Sequence, residues 1–111
     1  MAAVRDMINA NEVFTKLASN PNLYVTTSFK LLPIVEFVTA EVAAYLGEKE
    51  QIVAEDTSID EKEKKLNDYL DKLVTLPGIE IDVKTLRGCG LTLVDIQHIR
   101  WWLVDEEAEM L

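Results

Sequence analysis

Few residues in this chain have side chains that could carry a reaction. Cys89 is the one cysteine and His98 the one histidine. Gly88-Cys89-Gly90 sits just before a helical pattern. A thiolate at a helix start could act as a nucleophile, because positive field there lowers a thiol's pKa. Burial as a small apolar residue accounts for Cys89 better. The GxG fragment is too short for a dinucleotide-binding loop and reads as a turn. His98 could move a proton near neutral pH. Its nearest acid in sequence is Asp95, three residues back, and no serine stands where an acyl-transfer site would need one. His98 has no second ligand at metal spacing, and the acids lack the alternating pattern and central glycine of a calcium loop. These residues predict no catalytic group, no cofactor and no metal, and hence no enzyme.

Two surfaces are better candidates, both for binding a partner. Trp101 and Trp102 are adjacent, and neighbours on a helix point about a quarter-turn apart, so one small core cannot take both. We expect Trp102 inside and Trp101 outside, on a stripe with Val94, His98 and Asp105 that meets another chain; tryptophan is enriched where interfaces concentrate their energy. The second surface is acidic. Glu48, Glu50, Glu55 and Asp56, followed by Asp60, Glu61 and Glu63, gather where a helical hairpin should turn. They would suit a basic partner.

Positioning these surfaces falls to a chain of 111 residues, the size of one domain, so residues 1–111 are taken as a single unit. Its centre is 29–46, FKLLPIVEFVTAEVAAYL, apolar over nearly the whole helical wheel. Such a helix needs cover on more than one side. Lys30, Pro33, Glu36 and Glu41 inside the run argue against a bilayer span. Thr26, Thr27 or Ser28 should cap this helix, Pro33 should kink it or mark a start near Leu32, and the charged continuation should carry it past Gly47 to about residue 55. An amphipathic helix precedes it over 4–18 and ends at Pro21. Another follows through residue 75 with an N-cap in Asp56-Thr57-Ser58, and folds back antiparallel as a hairpin. Residues 79–84, IEIDVK, alternate strictly and predict a half-buried strand, pairing with 23–25, with residues near Leu91 or with another subunit. After the glycine turn, Thr92 and Asp95 form a capping box for the last helix, whose apolar stripe is Leu93, Ile96, Ile99 and Leu103. The expected fold is mainly α: four helices, a central apolar helix, an antiparallel hairpin and a short β element before the last helix.

Twenty acids oppose eleven bases. That balance repels a polyanion, and the bases do not cluster, so direct nucleic-acid binding is not expected. The N-terminus lacks an apolar signal segment.

The order of pieces resembles a family of small proteins of unknown function from tailed bacteriophages with long, non-contractile tails. The segments that carry the likeness are 8–17, LYVTTSFKL entering the long helix at 23–32, the charged hairpin 48–76, IEIDV at 79–83, and a terminal helix at 91–107 ending in acids. The resemblance implies a phage protein of the host cytoplasm or the virion, acting without catalysis through a phage or host protein. Together with the apolar excess it leads to an assembly or accessory subunit, self-associating into a homo-oligomer. Two other readings stay open. One is an inhibitor or decoy of a host protein that uses the acidic surface. The other is an oligomeric nucleotide binder in which Lys84, Arg87 and Arg100 converge on phosphates.

Overall fold

A computed structural model describes residues 2–104. Among these the chain is mainly helical. In order it forms β1 (Ala2–Ala3), α1 (Val4–Ala18), α2 (Val25–Ala54), α3 (Ile59–Leu70), β2 (Leu73–Val74), β3 (Ile81–Asp82), a 3-10 turn (Val83–Leu86), α4 (Leu93–Ile99), a second 3-10 turn (Arg100–Trp102) and β4 (Leu103–Val104). No helix among the described residues is long and apolar enough to cross a membrane.

The most enclosed element is α1. Val4, Met7, Ala10, Val13, Phe14 and Leu17 recur every three or four residues and are all buried. All of these but Val4 share one core cluster with Leu31, Ile34 and Val38 of α2 and with Ile81, Leu86, Cys89, Ile99 and Trp102 from the C-terminal third. The residue pattern over 4–18 puts Val4, Met7, Ile8, Phe14, Leu17 and Ala18 on one face; Ile8 is half-buried and Ala18 exposed, and Ala10 and Val13 complete the buried face instead.

The central helix is longer than its apolar run. It begins at Val25 and passes through both Pro33 and Gly47 to Ala54, so the start near Leu32 is corrected. None of Thr26, Thr27 and Ser28 caps it. The N-cap is Tyr24, with no side-chain hydrogen bond, and Ser28 Oγ donates back to the Tyr24 carbonyl at 3.2 Å. Packing explains the early start. Thr27 is buried and begins the face that continues through Leu31, Ile34 and Val38, so contact with α1 draws the preceding turn into the helix.

Ser58 caps α3 as expected, its Oγ accepting the Glu61 N–H at 3.2 Å. The second half of α2 and α3 form an antiparallel arm only two helices thick. Ile52 is its one fully buried apolar side chain, α3 buries none, and the Tyr45 and Tyr69 rings meet at 5.9 Å. α3 stops at Leu70 instead of residue 75, because Leu73–Val74 leaves the helix to pair antiparallel with Ala2–Ala3, in the register Ala2 with Val74 and Ala3 with Leu73. The Val4 N–H reaches the Lys72 carbonyl at 3.0 Å and extends the same clasp.

The strand expected over 79–84 shrinks to two residues. Asp82 is the cause: its carboxylate accepts the Lys84 N–H at 3.0 Å and its carbonyl accepts Thr85 Oγ1 at 2.7 Å, which turns the chain into a 3-10 helix. Its partner is none of those expected. Ile81 and Asp82 pair in parallel with Leu103 and Val104, beyond the last helix. The terminal helix therefore ends at Ile99, with 103–104 extended, instead of reaching residue 107. Of its expected buried stripe only Ile99 is buried; Leu93 and Ile96 are exposed. The chain between Leu86 and α4 turns at Gly88 and Gly90, whose φ values of 83° and 72° suit glycine.

Candidate functional site

The Trp101 surface is built by the way α4 ends. Thr92 Oγ1 accepts the Asp95 N–H at 3.2 Å and Asp95 Oδ2 accepts the Thr92 N–H at 3.0 Å, the expected capping box. Asp95 also receives Lys16 Nζ of α1 at 2.6 Å, which fixes the start of α4 on α1. The Lys16 ammonium, followed by the Thr92 N–H, holds the Asp95 carboxyl below its usual range. After Ile99 the backbone tightens into its 3-10 turn, and the tryptophans separate. Trp102 is 2% exposed and meets Phe14 at a ring-centroid distance of 5.6 Å. Trp101 is half-buried, with the Arg100 guanidinium 4.1 Å from its ring centroid. Both indole N–H groups are buried without a hydrogen-bond partner among the described residues. Val94 is exposed and His98 half-buried. Asp105, the fourth member of the predicted stripe, lies outside the described residues.

At the arm tip, Glu50 and Asp56 are exposed, and Glu48 and Glu55 are half-buried. Glu55 pairs with Lys65 of α3 at 2.5 Å, and Lys62 Nζ donates to the Val53 carbonyl at 2.9 Å. Glu55 first, with smaller contributions from Glu61 and Glu48, pushes the Lys65 ammonium above its usual pKa. Lysines therefore lace the acidic tip. The two predicted surfaces stay apart, one on the arm and one on α4.

The residues weighed for chemistry are placed without converging. Cys89 is buried, and its carbonyl accepts Asn20 Nδ2 at 2.6 Å. Asn22 Nδ2 donates to the Gly88 carbonyl at 2.9 Å, so the α1–α2 connection pins the glycine turn. Arg87 lines an open depression of about 430 Å³ with Val83, Leu86, Leu91, Ile96 and Leu103, whereas Lys84 and Arg100 are not among its lining residues. Arg100 instead covers Trp101 and donates to the Gln97 carbonyl. No group of three or more histidine, cysteine or acidic residues among the described residues could hold a metal ion.

A third surface stands out more than the two expected ones. α1 and α3 cover one side of α2 and leave the other bare. Val25 is 71% exposed, Phe29 70%, Leu32 51%, Leu46 52% and Val53 55%. Beside Leu32 an apolar depression of about 190 Å³ opens between α1 and α2, with Phe14, Leu17, Leu23, Leu31 and Val35 in its walls. A shallower one at the far end is lined by Leu46, Lys49, Glu50, Val53 and Ala54.

Comparison with protein-family models, with curated proteins and with solved structures finds no match. The sequence contained the signal for the bare face, namely an apolar wheel with too few neighbours to cover it. What the pattern did not separate was the side that α1 would take from the side left open.

Proposed function

We propose that this chain works by protein–protein contact, as a non-enzymatic assembly or accessory subunit, and that the outward face of α2 makes the contact with a matching apolar helix. The observation that carries this is the run of large apolar side chains, from Val25 to Val53, standing in water along one helix. They form two apolar clusters, Val25–Phe29–Leu32 and Leu46–Val53, on one side of the helix, and exposed apolar clusters of large side chains mark interaction sites. The tailed-phage resemblance would place the assembly in a viral setting, with genes for virion parts as expected neighbours.

A photo-crosslinking residue introduced singly at Phe29, at Leu46 and, as a control, at exposed Glu12 of α1 tests it in cells. Protein adducts should form at the two α2 positions and not at Glu12. Absence of adducts at both α2 positions would remove the reading.

A further inference from the structure

The bare face of α2 has a period of its own. From Val25 the exposed positions advance by alternating steps of four and three to Phe29, Leu32, Glu36 and Thr39. The same alternation continues through Ala43, Leu46 and Glu50 to Val53, every position exposed. Five of the nine, Val25, Phe29, Leu32, Leu46 and Val53, are large and apolar, grouped at the two ends of the row, and the four-three spacing is the one at which one helix packs along another. At about 1.5 Å per residue the seam runs roughly 45 Å. One flank of it carries Pro33, Ala40 and Gly47, small side chains that let a second backbone approach, and a Cβ added at Gly47 would meet open space.

Resting on the contact function above, we infer that the occupant of this face is the same helix of a second copy, running antiparallel. Two observations bear on it. The chain exposes 7320 Å². This is about 1,100 Å² more than the ~6,200 Å² of a compact monomer of its mass. Each partner in an ordinary stable interface gives up about 800 Å². The shape agrees: the radius of gyration is 16.4 Å, against about 13 Å for a compact domain of this length.

Charge fixes the direction. A parallel, in-register pair would set Glu36 against Glu36 and Glu50 against Glu50 in the seam, and like charges face to face are unfavourable. An antiparallel pair in which facing residue numbers sum to about 75 removes both clashes. Phe29 then faces Leu46 of the second copy, Leu32 faces Ala43, and Glu36 faces Thr39, whose hydroxyl can donate to it. Glu50 faces Val25 at the seam's end, where its carboxylate reaches water. Leu32 meets the small Ala43, and Leu46, packed on Phe29, arrives beside the depression at Leu32. The same two-fold axis lays each thin arm along the other copy's body.

The test uses the full chain. Sedimentation equilibrium at tens of micromolar should give twice the 12.6 kDa chain mass. Leu32→Glu should return it to the monomer with an unchanged far-ultraviolet spectrum, since Leu32 is already half in water within one copy. In a Cys89→Ala background, chains carrying Leu32→Cys and chains carrying Ala43→Cys should form a disulfide when mixed and oxidised, and neither should self-link. Two copies of residue 32 would stand roughly 16 Å apart along the axis, too far for a disulfide. Self-linking of Leu32→Cys would overturn the antiparallel register, and a dimer that survives Leu32→Glu would overturn the choice of face. A wild-type monomer at 100 µM would overturn self-pairing; adducts to a different protein at Phe29 would then leave the contact function standing, and no adducts would remove both.

Discussion

Replacing Trp102 with alanine and with phenylalanine should have very different consequences. The side chain is 2% exposed and lies on Phe14, itself buried, so it joins the C-terminal third to α1. Truncating a buried aromatic to alanine costs about 3–5 kcal/mol in transfer and cavity terms. A domain of this size has only ~5–15 kcal/mol in total. Phenylalanine keeps most of the ring. It loses about 30–40 Å² of buried surface, or ~1 kcal/mol. It also deletes an indole N–H that is buried without a partner among the described residues, whose burial costs about 1–3 kcal/mol. The two contributions nearly cancel, so Trp102→Phe should lie within ~1 kcal/mol of the parent while Trp102→Ala loses ~4. Urea unfolding followed by circular dichroism at 222 nm, at one fixed protein concentration, reads both without depending on tryptophan emission. With a slope of about 2 kcal/mol per molar urea, the alanine midpoint should fall by ~2 M. Equal losses for the two variants would mean that the indole N–H is bonded in solution. Losses under 1 kcal/mol for both would mean that the ring is not in the core.

Other outcomes follow from the caps, charges and turns. Asp95 has a depressed folded pKa, so its contribution is complete above the ordinary carboxylate range and is lost as pH falls through the folded value below 3.8. Asp95→Asn should flatten the acid limb of a midpoint-against-pH curve, and parallel curves for parent and variant would count against the Lys16 contact. Thr92→Ala should cost about 1 kcal/mol in global stability, measured in urea. Ser58→Ala removes a comparable cap from the thin arm, where hydrogen exchange should quicken in α3 while α1 stays protected. Gly90→Ala should cost ~1–2 kcal/mol from backbone strain alone, because φ is 72° and the added Cβ would meet open space; a neutral result in the same assay would show that the turn relaxes.

The elements with strong local signals were legible in the residues. The 4–18 helix, the Ser58 cap, the Thr92–Asp95 box and the glycine turn all depend on side chains within a few positions of one another, and the inward Trp102 follows from two adjacent tryptophans that cannot both be buried deeply. The errors share a different cause. Leu73 and Val74 fit a helical period, and only a partner seventy residues earlier, Ala2–Ala3, pulls them out of it. Ile79 to Lys84 alternate like a strand, and the Asp82 side chain turns the chain before the strand can lengthen. Leu103 fits the stripe of the last helix, yet it pairs with Ile81 across the crossover. A local pattern cannot anticipate pairings so distant. For the candidate surfaces, exposure of Val94 and of the acidic tip was readable. The open side of α2 depended on where α1 would dock.

The clasp between Ala2–Ala3 and Leu73–Val74 also has a consequence in time. Ribosomes add roughly 5–20 residues per second, so the beginning of this chain waits about 4–14 seconds for the segment that will hold it. During that interval α1 can lie on the growing α2 but cannot be fastened at its first turn. Any pause within α3 would lengthen the wait and leave the nascent α1 face open to cellular chaperones.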